Sequence, residues 1–169
     1  MTMYLSIRAL HVLCGALWFG FAVFGALWLM PMTNDLGPDA MKVGQSLQRR
    51  GYMAAVPLVG ILAILSGLWL YWRFTGGFSP DASATPAAMA FGTGGVLAIL
   101  SFVLGALFIA RGMARAGELS IAAATASEAE RGRLLTHAAA LRRRAAFVNR
   151  LLAVVLAIVV TLMSVAHYL

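Results

Sequence analysis

Cysteine occurs once in the 169 residues, at Cys14, so an intrachain disulfide is excluded and thiol usage says nothing of the redox compartment. Charge is also scarce: 11% of residues are Asp, Glu, Lys or Arg, and only 6 residues are acidic. No acidic residue falls within an apolar stretch, which argues against proton-coupled transport through buried carboxylates. Catalytic signatures are missing as well, with no P-loop, GxSxG, HExxH or C-x-x-C. No repeat of solenoid type is visible. The glycines of Phe91-Gly92-Thr93-Gly94-Gly95 open no strand-to-helix turn and read as helix packing.

What the chain does have is apolar length: 62% of its residues are hydrophobic. A bilayer core needs about 20 consecutive apolar residues per helix. Four stretches meet this, over about 4–30, 53–74, 88–110 and 147–169. The fold class that follows is all-α, a single integral membrane four-helix bundle over 1–169, with cytoplasmic extensions of helices 2 and 4. The first stretch is too long for the apolar region of a secretory signal and lacks an A-x-A site, so it reads as a mature helix.

Eleven of the 13 basic residues cluster in two connections, Lys42, Arg49 and Arg50 in one and Arg111 to Arg150 in the other. The positive-inside rule makes that end cytoplasmic and puts both termini and the Phe78 to Pro86 loop outside. The net charge of +7 is then explained by topology and by attraction to anionic lipid. Nucleic acid is not an expected partner, because the basic residues flank spans and are not interleaved with stacking aromatics.

Local patterns add detail. Helix 2 is expected to begin near Ala40 and to enter the membrane unbroken, with a kink at Pro57. Small residues at helical spacing in span 3, namely Gly94, Ala98, Ser101, Gly105 and Gly112, mark a helix interface. Ser127-Glu128-Ala129-Glu130 fits a capping box, which starts helix 4 near Glu128 and gives it about 40 residues, roughly 60 Å. Along helix 4, the residues Arg150, Ala153, Ala157, Thr161, Ser164 and Tyr168 form a small and polar stripe with His167 at its margin.

Arg8, His11 and His167 are the candidates within spans, since the other charges fall in connections or at span ends, and ionisable residues inside a span usually face a bundle interior or a wet cavity. At 100° per residue Arg8, His11, Gly15, Trp18, Ala22 and Gly25 form one inward stripe. Gly15 and Ala22 leave space beside His11. A neutral imidazole in apolar surroundings is a good ligand for haem iron or copper, and Arg8 could pair with haem propionates. The plain alternative is that His11 hydrogen-bonds to a neighbouring helix while Arg8 snorkels to the headgroups. Cys14, one turn after His11, reads as a packing residue that could also reach a soft metal. His137 reads as surface.

The opening stretch Arg8 to Gly20 (R-A-L-H-V-L-C-G-A-L-W-F-G), the later Leu65 to Leu70 (L-S-G-L-W-L) and the four-span layout resemble a broad group of small bacterial membrane proteins. That group includes the CopD copper-resistance family and the HemJ-type protoporphyrinogen oxidases. The resemblance implies a haem or metal role for the first-span histidine, here His11, with Trp18 seven residues on, and it implies the bacterial inner membrane. It covers spans 1 and 2 by residues, and spans 3 and 4 by layout alone. Span 3 lacks the histidines of the HemJ-type proteins, and the only lysine is Lys42, in a connection. Met30-Pro31-Met32 falls on the cytoplasmic side, away from an outer copper pool. The expected function is a b-type haem-binding protein of electron transfer or haem handling, with His11 as axial ligand, His167 as a second ligand, and Arg8 and Trp18 completing the cofactor site. The alternatives are a non-catalytic subunit of a homodimer or larger membrane complex, and a copper or metal-ion permease using His11 and Cys14.

Overall fold

In the computed structural model, residues 2–36 and 40–169 are described, without the side chains of Asn34, Met41 and His167. No strand occurs among the described residues. The first span is α1 (Thr2–Phe24), continued by a π-helical turn (Gly25–Leu29) into α2 (Met30–Asp35). After α3 (Ala40–Arg49) comes the second span, α4 (Tyr52–Phe74). A short α5 (Pro80–Ser83) lies in the next connection. The third span is α6 (Pro86–Leu104), a second π-helical turn (Gly105–Ala110) and α7 (Arg111–Ala123). The fourth is α8 (Glu128–Val165), closed by a 3-10 turn (Ala166–Tyr168). Four helices are thus long and apolar enough to cross a membrane, and the chain is a multi-pass helical bundle.

Neighbouring spans run antiparallel, and side-chain contacts set their register. Tyr4 meets Trp69 at one end of the α1–α4 pair, Trp18 lies at Gly60 farther along, and Phe21 meets Tyr52 at the other end. Between α4 and α6, Phe74 contacts Phe91 and Gly60 lies against Phe102. Between the third span and α8, Gly94 lies against Met163 and Gly105 against Leu152, so the small-residue stripe of span 3 is an interface, facing α8.

Burial is inverted relative to a soluble bundle. Ala63, Ser66, Ala88, Ser101 and Asn149 are buried, whereas Leu13, Leu65, Val154 and Phe147 are exposed. The accessible surface, 10679 Å², exceeds the roughly 8,000 Å² of a compact soluble monomer of this mass. Lipid is as apolar as leucine, so helices in a bilayer associate by close approach of small residues and leave the large ones to the acyl chains.

Beyond the apolar part of the third span, α7 and the first half of α8 pack as an antiparallel hairpin around Ala116, Leu119 and Ala138, with Leu134 and Leu141 against them. Arg142 donates to Ser120 Oγ across the hairpin at 2.7 Å, and Arg131 Nε donates to the carbonyl of Ala123 at the end of α7, at 3.1 Å. The extension of helix 4 therefore has a partner, a continuation of helix 3 that the Ala-rich sequence after Gly117 does not announce.

Three local expectations change. Helix 2 does not enter the span unbroken: Gly51 has φ 77°, a left-handed conformation that glycine adopts freely, and it separates α3 from α4. Ser127 does occupy the N-cap of α8, but its hydroxyl bonds no backbone N–H, and its carbonyl accepts from Arg131 N at 2.8 Å. The buried face of α8 is Asn149, Leu152, Leu156 and Val159, whereas Arg150, Thr161 and Ser164 are exposed. Thr161 and Ser164 satisfy their hydroxyls on backbone carbonyls of their own helix, which lets polar side chains face outward.

Candidate functional site

His11 sits midway along the α1–α4 seam. Its Nδ1 lies 2.8 Å from the carbonyl oxygen of Ala63 and 3.3 Å from Ser66 Oγ. A carbonyl can only accept, so Nδ1 carries the proton and donates it to Ala63, with Ser66 Oγ as a weaker second acceptor. The Ser66 hydroxyl is itself turned towards the carbonyls of Leu62 and Ala63. In the neutral imidazole this leaves the lone pair on Nε2, which has no hydrogen-bond partner among the described residues.

Glycine makes the geometry reachable. A Cβ built on Gly67 would stand 2.7 Å from His11 Cε1 and 3.1 Å from Nδ1, so the ring occupies the volume that any side chain at 67 would need. Ser66 and Gly67 belong to the Leu65 to Leu70 stretch, and His11 to the Arg8 to Gly20 stretch. The two segments singled out in sequence pack against each other.

Below His11 on the same face, Cys14 is buried. Trp18 follows, its indole 3.2 Å from the Cβ position of Gly60 and edge-on to Phe102, with ring centroids 6.0 Å apart. Gly15 has nothing within 4 Å of its Cβ position, so space does exist one turn from His11.

Arg8 is placed differently from the expected inward stripe: it is exposed. Three residues advance a helix by 300°, so Arg8 stands 60° round from His11, and in the first turns of α1 that angle carries a long side chain out of the seam. It lines an open groove of about 600 Å³ on the outer flank of α1 with Leu5, Ala9, Val12, Leu13 and Ala16. His167 lies in the terminal 3-10 turn, which packs against α6, and its side chain is outside the described residues. His137 is exposed.

Two buried polar residues were not legible as site residues. Asn149 of α8 donates from Nδ2 to the carbonyl of Ala22 at 3.2 Å, and a Cβ on Gly25 would stand 2.9 Å from that nitrogen. Ser101 of α6 is 3% exposed, and its Oγ is the one buried side-chain polar atom without a partner among the described residues. The signal for Asn149 was a glycine in the facing helix, but nothing local to either helix says which face meets which.

No group of three or more His, Cys, Asp or Glu side chains that could hold a metal ion occurs among the described residues. A metal bound by protein ligands alone would find no such set among the described residues. A haem is a different case, because the porphyrin supplies four ligands and the protein need add only one or two. His11, with its proton anchored on a carbonyl, fits that requirement. Comparisons of the chain with protein-family models, with curated proteins and with solved structures found no match.

Proposed function

We propose that the chain is a membrane-embedded b-type haem protein of electron transfer or haem handling, with His11 as the axial ligand. The observation that carries the reading is the Nδ1–H bond to the Ala63 carbonyl. Ligating histidines almost always donate their other ring N–H in this way, which fixes the tautomer and the ring plane and raises the basicity of the ligating nitrogen. Ala63, Ser66 and Gly67 orient the imidazole, and the apolar helices around it exclude water. Arg8, at the exposed end of α1, is the cation available to a propionate, and Trp18 gives an aromatic wall on the His11 face. His167 is the candidate for a second ligand. Haem, when bound, supplies one-electron redox chemistry, whose potential burial and the hydrogen-bonded imidazole would tune. The proposed setting is the bacterial inner membrane with both termini periplasmic, supported by the basic residues gathered at the opposite end of the bundle.

The test is the absorption spectrum of detergent-purified protein produced with haem supplied. A Soret band with sharp reduced α and β bands, lost in His11→Ala, is the expected result. A colourless protein of normal yield refutes the reading. A C-terminal reporter active only in the cytoplasm would invert the topology.

A second reading, a non-catalytic subunit of a homodimer or larger membrane complex, is favoured by the groove along α1. Its small Ala9 and Ala16 between Leu5, Val12 and Leu13 offer the close approach that a partner helix uses in lipid. Migration as a lone monomer in native membranes would count against it.

A further inference from the structure

Where the third span leaves its apolar stretch, a second cavity of about 260 Å³ opens between the end of the π-helical turn, the start of α7 and the facing turn of α8. Three guanidinium groups line it, Arg111 and Arg115 from one helix and Arg144 from the other, over a wall of Leu107, Phe108 and Leu141. No carboxylate lines it, and the acid that lies close, Glu118, is paired with Arg115 at 2.7 Å with both side chains more than 60% exposed. Such an exposed pair holds weakly, so Arg115 is free to exchange its partner. Arg144 is held in place by stacking, its guanidinium carbon 4.7 Å from the Phe108 ring centre.

We infer that this cavity is a binding site for the phosphate headgroup of an acidic glycerophospholipid. The argument rests on charge and level and is independent of the haem reading. Three arginines in a lining without a carboxylate, one of them in an exposed, weak pair with Glu118, are complementary to a phosphate, which guanidinium groups bind through paired N–H donors. Arg111 is the first charge after a long apolar run, so the cavity stands where hydrocarbon gives way to headgroups. Below it Val103, Leu104 and Leu107 are exposed along the span, a track for acyl chains that a free anion would not use. The π-helical turn Gly105–Ala110 adds a residue to the helix at this level and re-aims the arginines that follow.

The experiment titrates the purified full chain, in a mild zwitterionic detergent, with phosphatidylglycerol, phosphatidylcholine or inorganic phosphate, and follows binding by native mass spectrometry and by thermal stability. Phosphatidylglycerol should bind with saturation and phosphatidylcholine should not. Loss of two cationic contacts in R111Q/R144Q should weaken that binding roughly thirtyfold. The control R133Q/R143Q removes equal charge from exposed positions outside the cavity and should change it less than about twofold. Equal weakening in both variants would mean diffuse attraction and overturn the site. Stabilisation by inorganic phosphate equal to that by the lipid would also overturn it. If R111Q/R144Q is not monodisperse, Arg115→Gln at its exposed position decides, with severalfold weaker binding expected and unchanged binding refuting the site.

Discussion

Replacing Gly67 with alanine tests the centre of the site with a single methyl group. The new Cβ would stand 2.7 Å from His11 Cε1, against an ordinary van der Waals limit of 3.4 Å, so ring or helix must shift by about 0.7 Å. A shift of that size, directed away from α4, lengthens the 2.8 Å bond from Nδ1 to Ala63 to about 3.5 Å, the edge of any hydrogen bond. Overpacking of this kind costs about 1–3 kcal/mol. The interhelical hydrogen bond contributes about 0.6 kcal/mol in a membrane, with a maximum near 1.7. Against these stands the gain of alanine over glycine in a helix, about 0.5–1 kcal/mol. The steric and hydrogen-bond terms together outweigh it, and a net loss of about 1–2 kcal/mol is expected. Gly15→Ala is the internal control: with nothing within 4 Å only the propensity gain remains, and stability should hold or rise. Reversible unfolding in mixed micelles measures both variants. Equal stabilities for the two, or a more stable Gly67→Ala, would refute the placement of the imidazole against Gly67. Under the haem reading the displaced ring also lowers haem occupancy in Gly67→Ala.

The α1–α8 seam makes a parallel prediction: Gly25→Ala meets Asn149 Nδ2 at 2.9 Å and should destabilise by about 1–3 kcal/mol, but by less than half of that when Asn149 is already alanine, as a double-mutant cycle by the same unfolding assay would record. Ser101→Ala removes a buried hydroxyl without a partner and should be neutral or stabilising by about 1 kcal/mol in the same assay; a loss above 1 kcal/mol would mean that Ser101 has a partner in the membrane.

The apolar stretches make the four spans legible because length and hydropathy are local properties. The seams between helices are not local. His11 reads as inward from its own helix, and Ser66 and Gly67 stand out as a quoted stretch, yet which carbonyl the imidazole meets depends on a register between residues 52 positions apart. Asn149 escaped notice because it is neutral and lies between Arg144 and Arg150, where it resembles an interfacial flank; its partner is 127 residues away. Arg8 was misplaced because a helical wheel treats a 60° offset as the same face, whereas a long charged side chain near a helix end follows the solvent side of that margin. The continuous α7 is hidden by Gly112 and Gly117, which look like breakers in an alanine-rich segment; α8 packs at Gly112, with the Leu141 carbonyl 3.9 Å from its Cβ position, and Gly117 faces open space within the same helix.

His11 carries two tasks on two nitrogens, and they can be separated. Nδ1 sets the α1–α4 register through Ala63, a role that needs only a donor at that point. Nε2, without a partner among the described residues, is the atom the haem reading uses. Asparagine at position 11 offers an amide N–H at nearly the place of Nδ1 and nothing at the place of Nε2. His11→Asn should therefore keep the interhelical bond and stay within about 0.5 kcal/mol of the parent protein. His11→Ala loses the bond, leaves Ser66 facing a void, and should cost about 1–2 kcal/mol. Haem absorbance should vanish in both. Haem retained by a stable His11→Asn protein would move the ligand elsewhere in the chain and reduce His11 to a register-setting residue. Haem lost from a variant as stable as the parent would assign the two nitrogens their separate roles, because no change in folding remains to explain the loss.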